Sequence, residues 1–268
     1  MGQSSMIFKN RTDAGRRLAK KLLSFAEQKD ILVLGIPRGG VTVAFEIASA
    51  LHAPLDIFLS RKLGVPGHEE LAFGAVASGG GRYLDQRVVQ AAHVTPQQIE
   101  YATARVLDVL AQRASLYRGD HPALPVRGRT VILVDDGIAT GASVYAAISP
   151  LRQMQPTRLI LAAPVAPYST CAWLEKHVDQ LVCLDMPRDF QAVGQFYEEF
   201  SQVTDDEVIH LLQRSRTPNK ASAKAASADD SQGMLPLEGM LEVPENASGL
   251  HASRSLAKIH RPTDTRQA

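Results

Sequence analysis

The sequence predicts an α/β protein: a parallel twisted sheet with helices on both faces, plus a flexible C-terminal tail. Three observations carry that expectation. Short apolar runs alternate with stretches of helical length, which is the pattern of strands joined by crossover helices. Runs such as ILVLGIP (31–37) end in proline and glycine, as buried strands do. Two loops of unusual chemistry, GIPRGG and DDGIATGAS, follow such runs, where ligands of open α/β sheets sit.

The elements follow in order. Thr12 and Asp13 can cap a first helix whose Leu18, Leu22, Leu23 and Ala26 recur at helical spacing. After the strand at 31–37, VTVAFEIASALHA has helical length and PLDIFLSRKLG reads as one strand. VPGHEELAFGAVASGGGRYLD is rich in glycine and mixed in pattern, so a loop with a short hairpin is expected there. TPQQIEYATARVLDVLAQRASLYRG is an amphipathic helix opened by a Thr cap and a Pro in its first turn. The strand VILVDD comes next, with a helix from Ala142 to Met154 and the strand TRLILAAPV behind it. Tyr168 to Lys176 reads as a helix, QLVCL as a strand and TDDEVIHLLQR as a closing helix.

Composition limits the functional classes. Twenty-nine basic residues face 28 acidic ones, a formal charge of +1, so no electrostatic grip on nucleic acid or on an acidic membrane is expected. Two cysteines, Cys171 and Cys183, lack CxxC spacing and fit a reducing compartment. The start MGQSSMIFKN shows no secretory signal, and Met6 breaks the myristoylation pattern. The most apolar stretch, LILAAPVAPYSTCAWL, is cut by two prolines and falls short of a membrane span. The expected location is cytoplasmic. From 214 onward there is no Phe, Trp or Tyr, so residues 8–213 are expected as the folded domain and 214–268 as a flexible tail.

The chemistry concentrates in VILVDDGIATGAS. A strand would deliver Asp135 and Asp136 to the sheet edge with side chains on opposite faces. The chain then turns through GIATGAS into a helix, whose free N–H groups and the hydroxyls of Thr140 and Ser143 form a phosphate receptor. A phosphate receptor next to two carboxylates suits ribose 5-phosphate, the acids taking hydrogen bonds from its vicinal hydroxyls. GIPRGG adds the donor fork of Arg38 and two amides at Gly39 and Gly40, a second anion site. Two anion sites flanking a diol site describe 5-phosphoribosyl 1-pyrophosphate (PRPP), carried with Mg2+.

VILVDDGIATGAS resembles the PRPP-binding signature of the type I phosphoribosyltransferases, and GIPRGG resembles their pyrophosphate loop. RKLG resembles the Arg-Lys pair that precedes their mobile catalytic loop. Taken with FKNRTDAGRRLAKKL, ELAFGAV and AVGQFYEEF, the chain is similar over residues 8–213 to an uncharacterised bacterial subgroup of predicted phosphoribosyltransferases. Ser143 stands where the family usually has Thr, which keeps the hydroxyl.

The resemblance implies roles residue by residue. Asp135 and Asp136 would bind the ribose hydroxyls with Mg2+ nearby, and Ala139, Thr140, Gly141, Ala142 and Ser143 would wrap the 5-phosphate. Arg38, Gly39 and Gly40 would hold pyrophosphate, which Arg61 and Lys62 would neutralise as it departs, while residues 63–82 would close as a mobile loop. The implied activity is transfer of the phosphoribosyl group to a nitrogenous acceptor such as a nucleobase; the alternative is a PRPP- or nucleotide-sensing regulator. The expected partners are PRPP and a small acceptor, without nucleic acid or membrane, and a homodimer is left open.

Several residues keep two readings. Glu69 and Glu70 read as a base in the closing loop or as a solvated face, and His68 as a catalyst or as surface. Phe190, Phe196 and Tyr197 read as an acceptor-stacking set or as core. The acceptor's cover is either the hood segment DMPRDFQAVGQFYEEF or the long helix at 95–118. In the tail, LPLEGMLEVPENASGL faintly resembles the opening hairpin of an α/β-hydrolase domain, but no GxSxG follows and no hydrolase activity is expected.

Overall fold

A computed structural model describes residues 7–216. Five parallel strands form the main sheet: β1 (Ile31–Gly35), β2 (Leu55–Ile57), β6 (Thr130–Val134), β7 (Arg158–Val165) and β8 (Gln180–Asp185). Their order is β2-β1-β6-β7-β8. Successive side chains of a strand point to opposite faces, and both faces here are covered. Val33, Ile132, Val134, Ile160 and Ala162 enter one core, with Leu18 and Leu22 of α1 (Arg11–Leu22), Ile47 of α2 (Gly39–Leu51) and Leu212 of α7 (Asp205–Arg216). Leu32, Leu34, Leu133, Leu159 and Leu161 enter the other, with Ile148 of α5 (Ala142–Gln153) and Leu174 of α6 (Tyr168–Leu174). Continuous apolar runs are the sequence trace of this double burial.

The N-terminal segment and the segment after β8 build the hood. Phe8 N–H donates to the Phe196 carbonyl at 2.9 Å, and Glu198 N–H donates to the Phe8 carbonyl at 2.9 Å. Phe8, Phe196, Tyr197, Ala14 and Val165 make a small core of their own. Phe196 and Tyr197 are thus packing residues, and Phe190 stacks on Phe196 with ring centroids 5.3 Å apart. The first helix is capped by Asn10, whose side chain accepts from Asp13 N–H, rather than by Thr12 or Asp13. A polar side chain just ahead of them does the same work.

The main departure from expectation lies between Pro54 and Asp85. The apolar run at 54–64 is two strands in two sheets: β2 ends at Ile57 and β3 spans Ser60–Val65. Phe58 and Leu59 stay buried across the change of sheet, so the sequence shows no break there. The segment 63–82, expected as a loop with a short hairpin that closes over the site, is largely antiparallel sheet, β3 pairing with β4 (His68–Ala77) and β4 with β5 (Arg82–Leu84). Leu63, Val65, Phe73, Val76 and Ala77 are buried, so this region belongs to the packed structure. Gly74 misleads the sequence reading, since a Cβ there would overlap the Tyr83 carbonyl of the neighbouring strand; close strand approach, not looseness, requires the glycine. A short helix α3 (Gln86–Ala91) leads to α4 (Pro96–Arg118), opened by a capping box in which Thr95 Oγ1 accepts from Gln98 N–H and Gln98 Oε1 from Thr95 N–H.

The far end of α4 is pinned to the main sheet. Arg118 Nε lies 2.8 Å from Asp56 Oδ1, with side chains 7% and 2% exposed, and a second Arg118 nitrogen donates to the Ile57 carbonyl. Leu124 N–H adds a further bond by donating to Asp56 Oδ2. A buried carboxylate held by such donors is satisfied, which fixes where α4 leaves the sheet edge. The closing helix α7 runs to Arg216, past the expected boundary at 213. The rest of the expected tail, with its hairpin reading, lies outside the described residues.

Candidate functional site

The chain reaches β2 on one side of β1 and β6 on the other, so the connections diverge between β1 and β6. In open α/β sheets such a divergence leaves a crevice at the carboxyl ends of the two strands. Gly35 and Val134, the last residues of those strands, are register partners, and Ile36 N–H donates to the Val134 carbonyl at 2.9 Å. The two loops singled out from sequence therefore leave the sheet side by side.

Each loop runs straight into a helix. Arg38 is the N-cap of α2 and Gly141 the N-cap of α5, and neither helix start has a side-chain cap. The first N–H groups of a helix have no carbonyl a full turn back to donate to, and in α2 Val41 N–H turns instead to the Arg38 carbonyl at 3.1 Å. Gly141 has φ 76°, a left-handed turn that aims the loop at the helix start. Thr140 Oγ1 reaches Ala142 N–H only at 3.4 Å, a long contact. Ala139, Thr140 and Ser143 are exposed and Ala142 is half-buried, so the rim of this turn is open to solvent.

The two acids sit just beyond β6 and not within it. Both turn toward the Gly39–Gly40 loop instead of to opposite faces, because strand geometry ends at Val134. A Cβ on Gly39 would overlap the Asp136 carboxylate, and one on Gly40 would crowd Asp135 Oδ1 at 3.3 Å. Only glycines let the two loops close this tightly. Asp135 Oδ1 accepts from Asp136 N–H at 2.9 Å. Burial, and then the neighbouring Asp136 charge, push the Asp135 carboxyl well above the usual carboxylate range.

Arg11, which the sequence reading missed, is the partner of this pair. Its Nε lies 2.6 Å from Asp136 Oδ2, with side chains 11% and 16% exposed. Its Nη1 donates to the Ser201 carbonyl at 2.7 Å, and its guanidinium lies 3.9 Å from the Phe200 ring centroid. The hood thus places a cation on the acid pair from opposite ends of the domain. Tyr197 adds a hydrogen bond from its hydroxyl to the Asp136 carbonyl at 2.5 Å. Nothing local in FKNRTDAG points to Asp136, 125 residues away; the only available signal was an arginine at a helix start, where cations are unfavourable without a partner.

On the β2 side, a cavity of about 1050 Å3 opens between β3, β4 and α4. Its wall includes Pro37 of the first loop, Arg61 and Lys62 of β3, and Ser143 at the start of α5. Arg38 points to the corner of α4 and α7, where Asp205 Oδ1 lies 3.8 Å from Arg38 Nη1 and accepts from Tyr117 Oη at 2.6 Å. Burial and then Asp205 push the Tyr117 hydroxyl up to about 12. The structure therefore brings Arg61, Lys62 and Ser143 to one cavity, and gathers Asp135, Asp136, Gly39 and Gly40 at one crevice. Asp135, Asp136 and Thr140 do not line that cavity.

Among the described residues no cluster of three or more His, Cys, Asp or Glu could hold a metal alone, and no helix is long and apolar enough to cross a membrane.

Comparison with known proteins agrees with this geometry. The sequence profile described as "Phosphoribosyl transferase domain" matches residues 3–200. Two relatives, from the CDC 1551 and H37Rv strains of Mycobacterium tuberculosis and described as candidate phosphoribosyl transferases, are 41% identical over 254 residues. That alignment covers 91% of this chain, which spans only 57% of the relatives' length. The crystal structure of the TT1426 protein from Thermus thermophilus is 42% identical, with a TM-score of 0.71, covering 78% of this chain and 99% of that one. On the matched profile and these relatives, the chain belongs to the phosphoribosyltransferase family.

Proposed function

We propose that this chain transfers the phosphoribosyl group of PRPP to a nitrogenous acceptor, a nucleobase in the simplest case, with release of pyrophosphate. One observation carries the reading: two helix starts without side-chain caps open side by side at the sheet's divergence point, with a carboxylate pair between them. PRPP offers a phosphate, a diol and a diphosphate, the three groups such a site would take.

In this reading Ala139, Thr140, Gly141, Ala142 and Ser143 take the 5-phosphate on amides and hydroxyls. Asp135 and Asp136 accept hydrogen bonds from the ribose hydroxyls, and Arg11 keeps the Asp136 charge tolerable beside Asp135. Arg38, Gly39 and Gly40 hold the diphosphate. In the reaction the acceptor nitrogen's lone pair bonds to the anomeric carbon as the carbon–oxygen bond to diphosphate breaks. The electron pair leaves on the diphosphate oxygen, and the nitrogen then loses its proton to solvent or to a nearby base. Arg61 and Lys62 favour the step because the leaving group's charge grows as the bond breaks.

The hard oxygen donors of the acid pair suit Mg2+, which keeps several waters and binds through one or two carboxylates plus substrate phosphates. The ion, carried in by PRPP, would lie near Asp135 and Asp136 through its bound waters and would supply further charge neutralisation on the diphosphate.

The reading is tested by incubating the protein with PRPP, Mg2+ and a panel of bases, and measuring pyrophosphate. Release that depends on one class of base is the expected result. PRPP binding without release on any base would instead make the chain a sensor of PRPP.

A further inference from the structure

The cavity between β3, β4 and α4 holds more charge than the sequence motifs explain. Among the described residues, Arg61 and Lys62 from β3 and Arg105 and Arg113 from α4 line it, against two carboxylates, Glu69 and Glu70. Arg105 and Arg113 are about two turns apart, so they share one face of the helix. Tyr101 lies on the same face, with Arg105 over its ring at 5.8 Å, and Val106 and Leu110 supply apolar wall between the cations. The position of this helix is fixed by the buried Arg118–Asp56 pair and by the Tyr117–Asp205 hydrogen bond.

We propose that Arg105 and Arg113 of α4 complete, with Arg61 and Lys62, a clamp for the departing diphosphate, so that α4 is part of the leaving-group site. This rests on the transferase reading above. A direct displacement brings the incoming nitrogen to the face of the anomeric carbon opposite the leaving group. A cation-lined cavity continuous with Pro37 and with Arg61 and Lys62 therefore serves the diphosphate and not the acceptor, with Ser143 on its wall marking where the 5-phosphate site adjoins it. Volume agrees, since about 1050 Å3 is at the top of the range of small-molecule sites and leaves room for a hydrated diphosphate. A helix braced by a buried ion pair thus stands opposite the strand that carries the Arg-Lys pair.

The experiment is titration calorimetry of the full chain with magnesium pyrophosphate and, separately, with ribose 5-phosphate. The variants are Arg105→Ala, Arg113→Ala, their double, and Lys20→Ala as a charge-loss control on the exposed face of α1. The double variant should bind pyrophosphate about 10–100-fold more weakly while ribose 5-phosphate affinity stays within ~2-fold. Lys20→Ala should leave both affinities unchanged. Arg105→Lys should recover only part of the loss, because a lysine lacks the bidentate fork. Pyrophosphate affinity that survives in the double variant, or falls equally in Lys20→Ala, overturns the clamp while leaving the transferase reading intact. A wild-type chain that binds neither ligand overturns both.

Discussion

The Asp135–Ser143 corner and the β3–β4 hairpin are both read here as holding charged parts of one ligand, yet they are built in different ways. The corner is continuous in sequence: a strand, two acids, a glycine turn and a helix start follow one another directly, with the chemistry set by backbone amides. The hairpin's chemistry is assembled in space, from Arg61 and Lys62 on one side and α4 on the other. The difference teaches which parts of a site a sequence can display. A backbone-built anion receptor leaves a local pattern, because glycines and hydroxyls must occur in order. A side-chain-built cavity leaves none.

The comparison can be broken most forcefully at the hairpin. Replacing Arg61 and Lys62 together with Ala should lower kcat by about 100–1000-fold while ribose 5-phosphate affinity is retained, as expected for charge that acts on the leaving group. Loss of ribose 5-phosphate binding in that variant would show that the two regions are not separate in function. At the corner, Asp135→Asn with Asp136→Asn should weaken PRPP by about 10–100-fold. Calorimetry giving wild-type affinity would remove the acids from the ribose.

The hood sharpens the comparison, because it reaches into the corner through Arg11. Arg11→Ala leaves two adjacent carboxylates without their cation and should cost about 1–3 kcal/mol of folding stability, read by chemical denaturation. An unchanged midpoint would mean that solvent already screens the pair.

The smallest effect has an unusual sign. The folded chain holds the Asp135 proton where the unfolded chain, at the ordinary value of 3.8, releases it. Between that value and the raised folded value the native state binds more protons, so stability falls as pH rises through the interval. Asp135→Asn removes the penalty. Its melting temperature should exceed the wild type's by about 2–4 °C at pH 7, with the gain shrinking as pH falls toward about 4. A variant that melts lower at pH 7 would show that the carboxyl is not held under strain of this kind.

Much of the fold was legible because double burial writes itself into composition. The runs at 31–35, 131–134 and 158–165 are dominated by apolar residues, and the helices between them keep their spacing. What failed was the region where glycine served sheet packing instead of chain reversal, at Gly74 and its neighbours, and where Phe58 and Leu59 carried the chain between sheets without a polar interruption. At the site, the sequence named the corner and both loops. It did not show that Asp135 and Asp136 face the same loop, since that depends on where β6 stops, nor that Arg11 and α4 approach from far along the chain. The aromatic residues of the hood read either as a ligand stack or as core, and Phe196 and Tyr197 take the second place, buried against Phe8.

The most direct test is a crystal structure of the complex with ribose 5-phosphate. The account predicts the phosphate within about 3 Å of the amides at the start of α5, with the ribose hydroxyls on Asp135 and Asp136. Density for the sugar in another cleft, with the α5 start unoccupied at saturating ligand, would contradict it.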